Sequence, residues 1–204
     1  MSQREDWPGE QPDVSDVEDE VEEAEPKADE AYDEEEAEDE PELRVVEHPE
    51  DGIDIPDDVE LLEGEVRGTR RGVGIVLSRA HEETAGALLA AAFAELDQVG
   101  VGREHVTVML VPGPFELALA AMALAKTRRY SCVIALGDAT DSAVIAGEAA
   151  SGLQLAALET GIPVAFGVLT ESGGEVADRA AEAVRTGLEM ADVFQQLRAA
   201  AKAV

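Results

Sequence analysis

Residues 132 to 169 hold the pattern that decides the fold: Cys132-Val-Ile-Ala-Leu136 ending at Gly137, an alanine-rich stretch from about Ala143 to Glu159 closed by Gly161, and Pro163-Val-Ala-Phe-Gly-Val-Leu169. The two apolar runs are short, rich in β-branched residues and flanked by glycine or proline. They read as strands buried on both faces. Pro163 opens the second run, where a missing N–H costs a sheet least. A strand, a helix of some seventeen residues and a second strand form a crossover unit, and such a unit makes its two strands parallel.

The same alternation extends toward the N-terminus. Val73-Gly-Ile-Val-Leu77 reads as a strand, and Leu88, Leu89, Ala92, Phe93 and Leu96 then fall on one helical face, with Gly100 at the C-cap. Val106-Thr-Val-Met-Leu-Val111 is a further strand, stopped by Pro112-Gly113-Pro114. Leu117 to Lys126 is helical, and its Lys/Arg end suits the helix dipole. A last helix spans Glu175 to Ala200, with Val176, Ala180, Ala183, Val184, Leu188, Ala191 and Leu197 as its inner face. Four strands alternating with four helices predict an α/β domain of three layers, αβα, around a four-stranded parallel sheet. Val59-Glu-Leu-Leu-Glu-Gly-Glu-Val-Arg67 alternates partially and ends at Gly68. It is expected to be an N-terminal edge strand, or one donated to a neighbour's sheet. Helices so rich in alanine bury little area each. Ala118, Ala120, Ala121, Ala123 and Ala125 are therefore expected to meet other subunits.

Charge divides the chain. Residues 1–60 carry 28 of the 46 acidic residues and 3 of the 15 basic ones. Runs such as Glu18-Asp19-Glu20 and Asp33-Glu34-Glu35-Glu36 alternate with prolines and few large apolar residues. Such a stretch cannot offset an ordering entropy of roughly 1–2 kcal/mol per residue. The expected organisation is a disordered acidic tail over 1–58 and a folded domain over 59–204. The tail either solvates the particle or docks a basic protein partner or cations. Nucleic acid is disfavoured, because tail and phosphates repel.

The N-terminus is too polar for a secretory signal and too acidic for a transit peptide. No apolar run reaches the roughly 18 residues of a membrane span uninterrupted. One cysteine, Cys132, excludes an internal disulfide and fits a reducing compartment. Together these predict a cytoplasmic protein that does not enter a membrane.

Five pieces in register carry a family resemblance. They are Glu63-Gly-Glu-Val-Arg-Gly68 with Val73-Gly-Ile-Val-Leu-Ser-Arg79; Val111-Pro-Gly-Pro-Phe-Glu-Leu117; Tyr130 with Val133-Ile-Ala-Leu-Gly137; Glu159-Thr-Gly-Ile-Pro-Val-Ala-Phe-Gly-Val-Leu-Thr170; and Glu189-Met-Ala191. Over some 140 residues this resembles the lumazine synthases of riboflavin biosynthesis. The resemblance implies a flavodoxin-like sheet, homopentamers and sometimes icosahedral shells built from them, with sites between adjacent subunits. It implies condensation of 5-amino-6-ribitylaminouracil with 3,4-dihydroxy-2-butanone 4-phosphate, a transferase reaction with neither cofactor nor metal. Archaeal-type riboflavin synthases share the fold, but their turn sequences are less similar.

The resemblance also assigns residues. Ala80 stands where the family has a stacking aromatic, in Arg79-Ala80-His81 rather than Arg-(Phe/Trp)-Asn. Alanine offers no ring face. His81 could stack or move protons, or be a surface residue. Phe115 and Glu116 match the family's ribityl turn, with Pro114 for alanine removing one N–H; equally, the segment could simply turn a strand into a helix. Phe166 corresponds to a residue facing a neighbour's site, or fills core. Asp178-Arg179-Ala180 matches the family's phosphate arginine, or Arg179 pairs with Glu175 or Glu182 on the helix surface. After the Ala-Leu-Gly strand the family carries roughly sixteen residues with a phosphate turn and a catalytic histidine. Here Asp138 to Glu148 supply eleven, with no histidine and with Asp138 and Asp141 of the wrong sign for phosphate. The loop after Arg179 is shortened too. Two expectations follow: a scaffold or shell that has lost catalysis, or an active synthase in which His81 or His105 replaces the missing histidine.

Overall fold

A computed structural model describes residues 55–56, 58–171 and 175–202. The acidic stretch to residue 54, where the disordered tail was expected, lies outside the described residues. The elements are β1 (Val73–Ser78), α1 (Glu82–Gln98), β2 (Val106–Val111), α2 (Leu117–Lys126), β3 (Cys132–Asp138), α3 (Ala143–Thr160), β4 (Val164–Leu169) and α4 (Val176–Lys202). The strands form one parallel sheet in the order β2-β1-β3-β4. This is the three-layer, flavodoxin-like α/β fold.

Side-chain alternation along the strands builds two cores. Val73, Ile75, Leu77, Cys132, Ile134 and Leu136 face α1 and α4, where they meet Leu88, Leu96, Val184 and Leu188. Val76, Val133, Ala135 and Val168 face α2 and α3, where they meet Leu117, Leu124 and Leu153. The large aliphatic residues on this list are fully buried, each contributing on the order of 2 kcal/mol. Helix ends follow the local chemistry. Gly161 takes a left-handed φ of 65° after α3, and Ser142 Oγ accepts the Ile145 N–H at its start.

Three expectations need correction. The segment over 59–67 pairs with no strand of its own sheet. Instead it runs along α4, where the Glu65 N–H donates to Asp192 Oδ2 (3.1 Å) and Gln196 Nε2 donates to the Glu63 carbonyl (3.0 Å). These two bonds to α4 side chains hold the segment at the helix rather than at the edge of its own sheet. Leu197 is about half exposed rather than on the inner face of α4. Ala120, Ala121 and Ala125 are buried against their own sheet, and only Ala123 and half-buried Ala118 face outward from α2. A polar clasp holds the start of the domain: Arg71 Nη2 donates to Asp192 Oδ1 at 2.7 Å, Arg71 Nη1 to the Ala191 carbonyl at 3.3 Å, and Gln196 to Asp192 Oδ2 at 2.8 Å.

Candidate functional site

In a parallel sheet the crevice beyond the strand C-termini is the natural site, above all where strand order reverses direction. Here the chain goes from β1 out to β2 and then back across to β3, so the reversal lies between Ser78 and Asp138. Gly137 keeps that point narrow. A Cβ there would stand 3.1 Å from both Leu117 Cδ1 and Ser78 Cβ. The Arg79 N–H donates to the Val111 carbonyl (3.0 Å) and the Ala139 N–H to the Leu169 carbonyl (2.9 Å), so both loops leave the sheet bonded to the neighbouring strand.

Asp138 ends β3. Its Oδ1 accepts from the Thr140 N–H (3.0 Å) and the Thr140 hydroxyl (2.7 Å). Partial burial pushes this carboxyl up, but the Thr140 bonds, the charge of His81 and the Thr84 hydroxyl outweigh it. The net result lies below the ordinary carboxylate value. His81, entering α1, brings Nε2 to 3.2 Å from Asp141 Oδ2. Thus His81, Asp138 and Asp141 come together from two loops. Nothing local announces this, because His81 and Asp141 are sixty residues apart in the chain. His105 sits in a short turn before β2, at the opposite end of the sheet.

The other expected residues fall around this point. Ala80 is exposed and its N–H donates to Ser78 Oγ at 3.4 Å. Pro114–Glu116 form a 3-10 turn into α2. In that turn Phe115 is 64% exposed, and Glu116 Oε2 would lie 3.1 Å from a Cβ at Gly113. Phe166 is half-buried and packs on the core between the sheet and α2/α3. Arg179 Nη1 is 3.1 Å from Glu182 Oε2, and both are exposed. It borders a cavity of ≈ 330 Å³ lined by Leu169, Thr170, Glu171, Glu175, Asp178 and Glu182. The hydrogen bond and charge of Asp178 push Glu175 above its ordinary value, a sign of local excess negative charge.

The arrangement favours protons and cations over anions. Four carboxylates surround one guanidinium that is already paired. At the start of α3, a helix end that suits anions, Asp141 stands just before the N-cap and Ser142 Oγ takes the Ile145 N–H.

A family model described as 6,7-dimethyl-8-ribityllumazine synthase matches residues 71–199. A 6,7-dimethyl-8-ribityllumazine synthase of Yersinia pestis (strain Pestoides F) is 38% identical over 153 residues, covering 68% of this chain and 98% of the relative. One of Edwardsiella ictaluri (strain 93-146) is 36% identical over 156 residues, covering 69% of this chain and 100% of the relative. Since 68% of 204 residues is about 139, about fourteen of the 153 matched positions have no counterpart in this chain. With this fold and this match along the domain, the chain belongs to the 6,7-dimethyl-8-ribityllumazine synthase family.

Proposed function

We propose that this chain is a family member that keeps the fold and self-association of a lumazine synthase while its crevice no longer processes a sugar phosphate, so that it serves as an oligomeric scaffold. The carrying observation is the charge of the crevice. A phosphorylated four-carbon ketone brings an anion that needs cations and free N–H donors. Asp138, Asp141, Glu175 and Asp178 stand there instead, and Arg179 is taken by Glu182. Ala80 offers no stacking face, and the family frame is matched with residues missing, in keeping with the short loops after β3 and Arg179. Calorimetric titration with inorganic phosphate and with a phosphorylated butanone analogue tests this. No saturable heat is expected; a dissociation constant below about 1 mM, or −4 kcal/mol, would overturn it.

Self-association is supported by the outward faces of α2 and α3, where Leu119, Val144 and Leu158 are each 75% exposed. Covering several large apolar side chains in one assembly removes apolar surface from water, which favours association. In this reading the assembly is a pentamer or a shell of pentamers, carrying acidic tails over 1–58 that repel one another and collapse in salt. Native mass spectrometry is expected to give masses in multiples of five, and a stable monomer would contradict this. A cytoplasmic location belongs to the same proposal. Among the described residues no helix is long and apolar enough to cross a membrane.

A second reading, a working synthase, is favoured by one contact. His81 lies in the crevice 3.2 Å from Asp141, a geometry that orients an imidazole for proton transfer. Proximity alone accelerates reactive partners. Under this reading His81→Ala abolishes whatever condensation the protein supports and His105→Ala leaves it unchanged.

A further inference from the structure

At the opposite end of the sheet two turns stand side by side. One, Gly68-Thr69-Arg70-Arg71, leads into β1 and closes with the Arg71 N–H on the Gly68 carbonyl (3.2 Å). The other follows α2, where the Arg128 N–H reaches the Ala125 carbonyl (3.1 Å), and leads through Arg129 into β3. The Ser131 N–H donates to the Gly72 carbonyl at 2.8 Å, and a Cβ on Gly72 would stand 2.8 Å from the Arg129 carbonyl. These contacts fix the two turns together.

Both turns carry an anomaly of the same kind. Arg70 has φ 58° and Arg128 has φ 59°, and they are the only non-glycine residues with positive φ among those described. Left-handed backbone is where glycine is least strained, and Arg128 occupies the position after a helix that glycine usually takes. Retaining arginine at both points costs stability for no packing return, since both side chains are exposed. Strain kept at two adjacent turns by the same side chain points to a use for that side chain. Arg129 and Lys126 are exposed beside them. Among the described residues no carboxylate forms an ion pair with Arg70, Lys126, Arg128 or Arg129.

We infer that this basic edge docks the acidic stretch between Glu40 and Asp54 of the chain itself. That stretch holds Glu40, Glu42, Glu47, Glu50, Asp51 and Asp54 against a single arginine, Arg44. The four unpaired cations answer that charge. The stretch is tied to the domain immediately before the described chain begins, and a short tether raises the effective concentration of a weak ionic partner to the millimolar range. The edge therefore takes an acidic polypeptide, and the nearest one is covalently attached.

Zero-length carbodiimide coupling followed by peptide mass spectrometry tests the docking in the full chain. Lys27, Lys126 and Lys202 are the only lysines, so a link from Lys126 is unambiguous. At about 20 mM salt Lys126 is expected to couple to carboxylates between Glu40 and Asp54, and the yield is expected to fall about tenfold at 0.5 M salt as screening shortens. The variant Arg70→Gly with Arg128→Gly keeps Lys126, removes two charges and relieves both left-handed positions. It should fold with an unchanged or higher melting temperature and lose most of the coupling. Coupling of Lys126 that is absent at low salt, directed only elsewhere, or equal in the double-glycine variant would overturn the inference. A fall in melting temperature would show the arginines to be structural and would overturn it as well.

Discussion

The two ends of the parallel sheet differ in the side chains that crowd their turns. Beyond the strand C-termini, where helices α1, α3 and α4 begin and anions are ordinarily welcome, stand Asp138, Asp141, Glu171, Glu175, Asp178 and Glu182. At the base, Arg70, Arg71, Lys126, Arg128 and Arg129 gather around two turns. The cores between these ends are ordinary. In the proposed reading the rims rather than the cores hold what is particular to this chain, since a fold can be kept while the chemistry of its site differs.

The largest effect is expected at the base. Arg71 and Asp192 are both mostly buried and bonded to each other, so Asp192→Ala leaves an unpaired guanidinium and releases the 63–65 segment. Urea unfolding should show a loss of about 3–5 kcal/mol; a loss below 1 kcal/mol would mean the clasp is solvent-filled. At the crevice end, a combined Asp141→Asn, Glu175→Gln, Asp178→Asn, Glu182→Gln variant frees Arg179 and removes four charges. Its phosphate affinity should rise at least about tenfold, or 1.4 kcal/mol, when measured by calorimetry. No gain would mean that charge is not what excludes anions.

Asp138 sharpens the same contrast on a smaller scale. Its folded-state value is lowered, so the ionised form is favoured by folding. The stabilisation is therefore present above the ordinary carboxylate value, about 4, and is lost as pH falls from there through the lower folded value. Asp138→Asn should cost about 1 kcal/mol at neutral pH and flatten that part of the acid limb in thermal unfolding. The smallest effect is a silence: Cys132, between the two ends, is buried and its thiol is pushed up to about 12 by that burial. A thiol reagent should leave it unmodified until the protein unfolds.

Much of this was legible in the sequence. Runs such as Cys132-Val-Ile-Ala-Leu136, with glycine and proline at their ends, specify buried parallel strands because neither helix nor hairpin fits them. The eleven residues from Asp138 to Glu148 and the aspartates among them could be counted directly. What escaped was whatever depended on distant partners. Arg71 and Asp192 are 121 residues apart, so the clasp has no local signature. The alternation of 59–67 read as a strand, whereas the segment lies along α4, held there by Asp192 and Gln196 from far along the chain. Arg179, by contrast, pairs on the helix surface with Glu182, one of the two partners its spacing offered. Positive φ at Arg70 and Arg128 contradicts residue preference outright, so propensity could only have pointed away from it.

Steady-state production of 6,7-dimethyl-8-ribityllumazine from the two family substrates tests the central claim most directly. Purified full-length protein should leave the rate at that of the spontaneous reaction at every protein concentration. A saturable acceleration that disappears in His81→Ala would contradict the account and make this crevice an active site.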